Sequence, residues 1–149
     1  MLDALIIAAH PDDAEIGMGG TILRMLEDGL KVGILDLTNG EPTPLGTPEI
    51  RMCETKAASD VLGVTWRNNL GLPNRKLQHD LAARAALAGI IRESQPRWLF
   101  THYWVDAHPD HVAACELTEA ARFWSKLTKC ELPFSPHFPE RIFHFWSVH

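Results

Sequence analysis

With 149 residues, the chain fits one domain able to bury a single sizeable core. Apolar residues make up 46% and charged residues 22%, the proportions of an ordinary globular protein. The net charge of −5 and the scattered Lys and Arg give no footprint for nucleic acid or an anionic membrane, and no apolar run reaches the length of a membrane span.

Residues 4–9 form a continuous apolar run, the pattern of a strand buried on both faces in a parallel sheet. The run is short and lacks a basic leader, so no signal peptide is expected. The turn His10-Pro11-Asp12-Asp13 follows. Ile16, Ile22, Leu23, Met25 and Leu26 then recur at helical spacing, predicting a helix over 17–28 that Gly29 stops. Residues 32–37 make a second apolar strand, and the Pro- and Gly-rich segment 38–48 is a loop. Pro48 opens a helix that runs to Leu62 and ends at Gly63. A third strand begins at 64–66, residues 70–74 read as loop, and an Ala-rich helix spans 77–94 before Pro96. Residues 98–102 are a fourth strand, followed by His108-Pro109-Asp110-His111 and a helix to about Phe123. The Pro-rich stretch 132–139 is irregular, and 141–148 alternates as a last strand. Strands and helices thus alternate throughout. That order predicts a single-domain α/β fold, a Rossmann-like doubly wound, mostly parallel sheet with flanking helices and right-handed crossovers. Both His/Asp tetrapeptides then fall at the carboxyl edge of the sheet, where open α/β folds place their ligands.

In the first tetrapeptide His10 offers an imidazole nitrogen and Asp13 a carboxylate oxygen, a mixture suited to Zn²⁺ and tolerated by Fe²⁺ or Mn²⁺. Asp12 lies between them and is placed to act as general base. The simpler alternative is a capped turn, with Asp12 or Asp13 as N-cap and His10 a polar strand end. Gly17, Gly19 and Gly20 raise a phosphate-binding turn, but no Gly-x-Gly-x-x-Gly joins strand to helix and no Walker lysine follows. In the second tetrapeptide His108 and His111 lie three apart and share a face on a first helical turn. Asp110 and Asp106 are near enough in sequence to hold an imidazole in one tautomer. Three ligands plus water make an open catalytic site, and His10, Asp13 and His111 are the natural three. With Asp12 as base and His108 as acid or oxyanion partner, the set suffices to hydrolyse an amide.

Residues 9–15, Gly19-Gly20, Thr38-Asn39-Gly40-Glu41 and His108-Pro109-Asp110-His111 resemble the PIG-L/LmbE-like zinc N-deacetylases, in motif order along the whole chain. The segment 46–51 and the ending 145–149 are most similar to the bacillithiol-pathway branch, whose enzymes remove acetyl from N-acetylglucosaminyl malate. The resemblance implies zinc on His10, Asp13 and His111, Asp12 as general base, and His108 as second catalytic group, oriented by Asp110 or Asp106. It implies Arg51 as the anchor of a substrate carboxylate, a task its fork suits, with Asn39 and Glu41 along the sugar pocket. Without the resemblance, Arg51 reads as an exposed helix residue paired with Glu49 or Glu54. Family members usually continue for several tens of residues, and that portion contributes a pocket wall and subunit contacts. Residues 1–149 are therefore expected to be a deacetylase domain lacking it, in a homo-oligomer whose partner is a small amino-sugar substrate.

Cys53, Cys115 and Cys130 are odd in number and form no CxxC pair, so reduced thiols in a cytoplasmic protein are expected. Cys115, one turn past His111, is expected to be a small core residue rather than a ligand. His79, His102, His137, His144 and His149 are expected in ordinary polar roles, with support of the metal ligands the alternative for His102 and His144, and Trp104 is the one tryptophan placed to touch a sugar face.

Overall fold

The computed structural model describes residues 1–147; Val148, the end of the last predicted strand, and His149 lie outside the described residues, and of that strand residues 146–147 fall beyond its observed end at Phe145. Five strands, β1 (Ala4–Ala8), β2 (Val32–Thr38), β3 (Trp66–Leu72), β4 (Trp98–His102) and β5 (Arg141–Phe145), alternate with four helices. The helices are α1 (Asp13–Glu27), α2 (Pro48–Leu62), α3 (Leu81–Ser94) and α4 (Pro109–Ser125). The sheet runs in the order β3-β2-β1-β4-β5 with every pair parallel. The chain builds outward from β1 through β2 to β3, then crosses back to β4 on the other side of β1. The switch in direction therefore lies between β1 and β4, whose outgoing loops carry the two His/Asp tetrapeptides. In open α/β sheets a ligand crevice forms at such a point.

All residues of β1 and β2 are buried, as their largely apolar runs require, and the one charge among them, Asp36, is paired with Arg67 at 2.8 Å. Alternate side chains feed two apolar layers. Leu5, Ile7, Leu35 and Leu37 pack with Leu87, Ile91 and Leu117 of α3 and α4. Ala4, Ile6, Ala8 and Ile34 pack with Ile22 and Met25 of α1. Gly33 in β2 marks a close approach, since a Cβ there would stand 2.6 Å from Leu2 Cδ1 and 2.8 Å from Trp66 Cε3. Gly33→Ala is expected to destabilise the fold by about 1–3 kcal/mol through overpacking, read as a lower urea midpoint at unchanged slope.

Three boundaries differ from the pattern. Helix α1 starts at Asp13, four residues before the periodic apolar stretch, because Asp13 and Glu15 suit a positive helix N-terminus. Helix α3 starts at Leu81, where Asp80 caps it by accepting from Ala83 N–H at 2.8 Å. Strand β3 begins at Trp66 and runs on to Leu72, through part of the predicted loop. Of the α1 glycines only Gly17 serves close packing, against the Phe145 ring; Gly19 and Gly20 face open space. No helix among the described residues is long and apolar enough to cross a membrane.

Candidate metal centre

The β1 and β4 loops converge on the Asp13 carboxylate. His10 Nδ1 lies 3.2 Å from Asp13 Oδ2, and His111 Nε2 lies 3.3 Å from Oδ1. Asp13 is anchored by the His10 backbone N–H, which donates to Oδ2 at 2.9 Å. The far nitrogen of each imidazole meets a second carboxylate. His10 Nε2 faces Asp110 Oδ2 at 3.1 Å, and His111 Nδ1 faces Asp106 Oδ2 at 3.1 Å. When the outer carboxylate holds the ring proton, the inner nitrogen of each ring has a lone pair free for a cation shared with Asp13. One donor atom from each of His10, Asp13 and His111 lies within 4.8 Å of the others. The two imidazole nitrogens thus stand 3.2 and 3.3 Å from different oxygens of one carboxylate, close enough for all three side chains to share a small cation. Two imidazoles and one carboxylate, with an open fourth position, therefore fit a divalent metal.

Electrostatics shape the same cluster. Burial alone would raise the Asp13 carboxyl, but His10, His102 and His111 outweigh it and hold it far below the usual range. Burial lowers His10 and His111, yet their carboxylate partners carry both above the ordinary imidazole value. Burial lowers His108, helped by the charges of His10 and His111. Its Nδ1 accepts from Asp110 N–H at 3.1 Å, so the neutral ring carries its proton on Nε2.

Asp12 does not cap α1: its side chain makes no cap hydrogen bond and its φ of 150° is strained. Arg51 holds it there, Nη1 donating to Pro11 O at 3.0 Å and to Asp12 Oδ2 at 3.2 Å. Burial and the neighbouring Asp13 charge raise the Asp12 carboxyl, opposed by Arg51. A cavity of about 280 Å³ opens over this cluster, lined by His10, Asp12, Asp13, Arg75, His108 and His111 among others.

The sequence-based site is brought together with some reassignments. The Asp110 carboxylate meets His10 rather than His108, because the first turn of α4 points it back toward the β1 loop, where it also accepts from Arg75 and Leu77 N–H. Asp106 accepts the His108 backbone N–H at 2.8 Å and faces the ring of His111, not that of His108. Arg51 pairs with Asp12 and Glu41, not Glu49 or Glu54. Glu41 is buried and folds back on Thr43, and Asn39 accepts from Glu41 N–H at 3.0 Å; both shape the loop without lining the cavity.

The profile described as "PIG-L: GlcNAc-PI de-N-acetylase" matches residues 5–122, the stretch that contains both loops. The chain belongs to the PIG-L family. It is 29% identical to a 1D-myo-inositol 2-acetamido-2-deoxy-alpha-D-glucopyranoside deacetylase of Actinosynnema mirum, over 94% of this chain and 58% of that protein. It is 32% identical to the diacetylchitobiose deacetylase of Thermococcus kodakarensis, over 72% of this chain and 44% of that protein. The crystal structure of the conserved protein TT1542 from Thermus thermophilus superposes with a TM-score of 0.96 at 44% identity, covering 100% of this chain and 68% of that one. The chain spans about half the length of the curated relatives it matches.

Within this PIG-L domain, the pocket residues Asn74 and Arg75 escaped the sequence reading, and His102, expected chiefly in an ordinary polar role, stands behind the centre. His102 is fully buried at the end of β4, stacks on His111 at 4.1 Å, and accepts Ala9 N–H at Nε2, 3.0 Å away. The same nitrogen stands 3.3 Å from Asp13 Oδ2, and burial holds the ring below the ordinary imidazole value, so His102 backs the centre from behind Asp13. Arg75 and Asn74 line the cavity from the loop after β3, and Asn74 Oδ1 is buried without a hydrogen bond among the described residues. A strand-terminal His was the one available signal for His102; nothing local marks Asn74.

Proposed function

We propose that this chain is a metal-dependent N-deacetylase that releases acetate from an N-acetylglucosamine conjugate, with zinc on His10, Asp13 and His111. The observation that carries the reading is the meeting of two loops about a hundred positions apart on Asp13, beside a half-exposed Asp12 and a neutral His108. Zinc in that triad supplies Lewis acidity, polarising the acetyl carbonyl and acidifying a water. Asp12 takes the proton of the attacking water, and its upward-shifted carboxyl suits a base working near neutrality. His108 Nε2–H donates to the carbonyl oxygen as negative charge develops there. The C–N bond then breaks, and the proton held by Asp12 passes to the leaving amine. Arg75 and the Asn74 carbonyl oxygen offer a cation and an acceptor to the rest of the conjugate.

Within that class, N-acetylglucosaminyl malate is the substrate favoured by the bacillithiol-like segment 46–51, and a reducing cytoplasm suits the three free thiols. The named diacetylchitobiose deacetylase relative makes a chitooligosaccharide the alternative. A panel of N-acetylglucosaminyl malate, diacetylchitobiose and a lipid-linked conjugate, scored by acetate release from zinc-loaded protein, decides between them. Stoichiometric zinc with no acetate from any of the three overturns the deacetylase reading in favour of a non-catalytic metal-binding module.

Arg51 touches Asp12, so its replacement separates two roles. Arg51→Ala is expected to lower kcat and move the acid limb of the kcat/KM profile to higher pH. Loss of the guanidinium lets the Asp12 carboxyl rise, and the base form then disappears at a higher pH on acidification. If Arg51 instead anchors the malate carboxylate, KM for that substrate rises while the acid limb stays in place.

A further inference from the structure

A second group of ligand-type side chains lies outside the cavity. Cys115 and Glu119 stand one turn apart on α4, and His144 sits on β5, the edge strand of the described sheet. A thiol sulfur, a carboxylate oxygen and an imidazole nitrogen from these three all lie within 4.8 Å of one another. His144 Nε2 is buried, makes no hydrogen bond among the described residues, and faces Glu119 Oε1 at 3.4 Å. Trp104 stands edge-on against the His144 ring at 5.1 Å, shielding one side. Cys115 is 2% exposed, a small core residue as its place on the helix suggests, with its thiol at the edge of this group. The Glu119 side chain is 56% exposed, which leaves an entry path from solvent.

The geometry points to a second cation site on Cys115, Glu119 and His144, suited to a thiophilic divalent ion such as zinc or cadmium. The donor set excludes the hard cations, which need oxygen-rich cages. It matches the sulfur, nitrogen and oxygen ligands that zinc accepts, with a fourth position left for water. Burial, with Glu119 and Glu116 nearby, pushes the Cys115 thiol up to about 11, so the cation must displace the thiol proton to solvent as it binds. Once bound, the ion clips β5 to α4. The next residue on β5, Phe145, packs against His102 at 4.8 Å, so the clip braces the wall behind the catalytic centre. None of the three side chains takes part in the proposed hydrolysis, so this site and the deacetylase reading fail separately.

Cobalt(II) titration of the metal-free full chain tests it. The expected result is two equivalents bound, one of them accompanied by a near-ultraviolet thiolate-to-cobalt charge-transfer band, which a His/His/Asp centre cannot produce. His10→Ala should lose one equivalent and keep the band. Cys115→Ser and His144→Ala should each lose the band and keep the other equivalent; His144→Ala leaves the buried thiol untouched, so it serves if the serine variant folds poorly. Cys53→Ser and Cys130→Ser should retain the band. A wild-type chain without the band overturns the site, as does a band that survives both Cys115→Ser and His144→Ala.

Discussion

Asp12→Ala is expected to lower turnover by about 10²–10⁴-fold while leaving the bound metal in place. Asp12 touches neither imidazole of the candidate ligand triad; its carboxylate is 48% exposed, faces the cavity and is steadied by Arg51. Removing a half-exposed side chain takes away a proton acceptor and empties no core space, so the fold should not suffer. Asp12→Asn keeps the shape and loses the base, and should fall nearly as far. Metal analysis alongside acetate release checks the split. A variant that loses metal together with activity would make Asp12 a ligand rather than a base, and one that keeps full turnover would place the base elsewhere.

His111→Ala is expected to remove both metal and activity. The His111 ring is 1% exposed and lies between two buried carboxylates, Asp13 and Asp106. Its loss leaves a cavity and takes one partner from each of Asp13 and Asp106, which keep His10 and the His108 backbone N–H respectively, so the metal-free variant should also be less stable by about 2–5 kcal/mol. Thermal or urea unfolding in chelator, with metal content measured separately, tests both parts. A variant that still binds stoichiometric metal at the pocket would remove His111 from the ligand set.

The parts of this architecture set by local chemistry were legible from the chain alone. Apolar runs, continuous in β1 and broken only by Asp36 in β2, identify both as buried parallel strands, and Gly63, with φ 79°, ends α2 as its position suggests. The two tetrapeptides announce themselves because ligand-type residues crowd into four positions after a strand. Their partners were not legible, because they depend on strand order. His102 becomes a wall of the centre only because β4 lies beside β1, which a strand-terminal His cannot reveal by itself. The same holds for the exchange of carboxylates: near in sequence, Asp110 belongs with His108; in space the first turn of α4 delivers it to His10. Asn39 and Glu41 close hydrogen-bonded turns within their own loop, and Asn39 also lines, with Arg51, the neighbouring cavity of about 550 Å³.

The central claim is that one ion bridges the two loops. Metal-edge absorption spectroscopy on the zinc-loaded Cys115→Ser protein, where only the pocket centre remains, tests it most directly. The account predicts two imidazole nitrogens and carboxylate oxygen at about 2.0–2.2 Å, with one imidazole lost in His10→Ala and one in His111→Ala. A bound ion whose shell is unchanged by either substitution would contradict it.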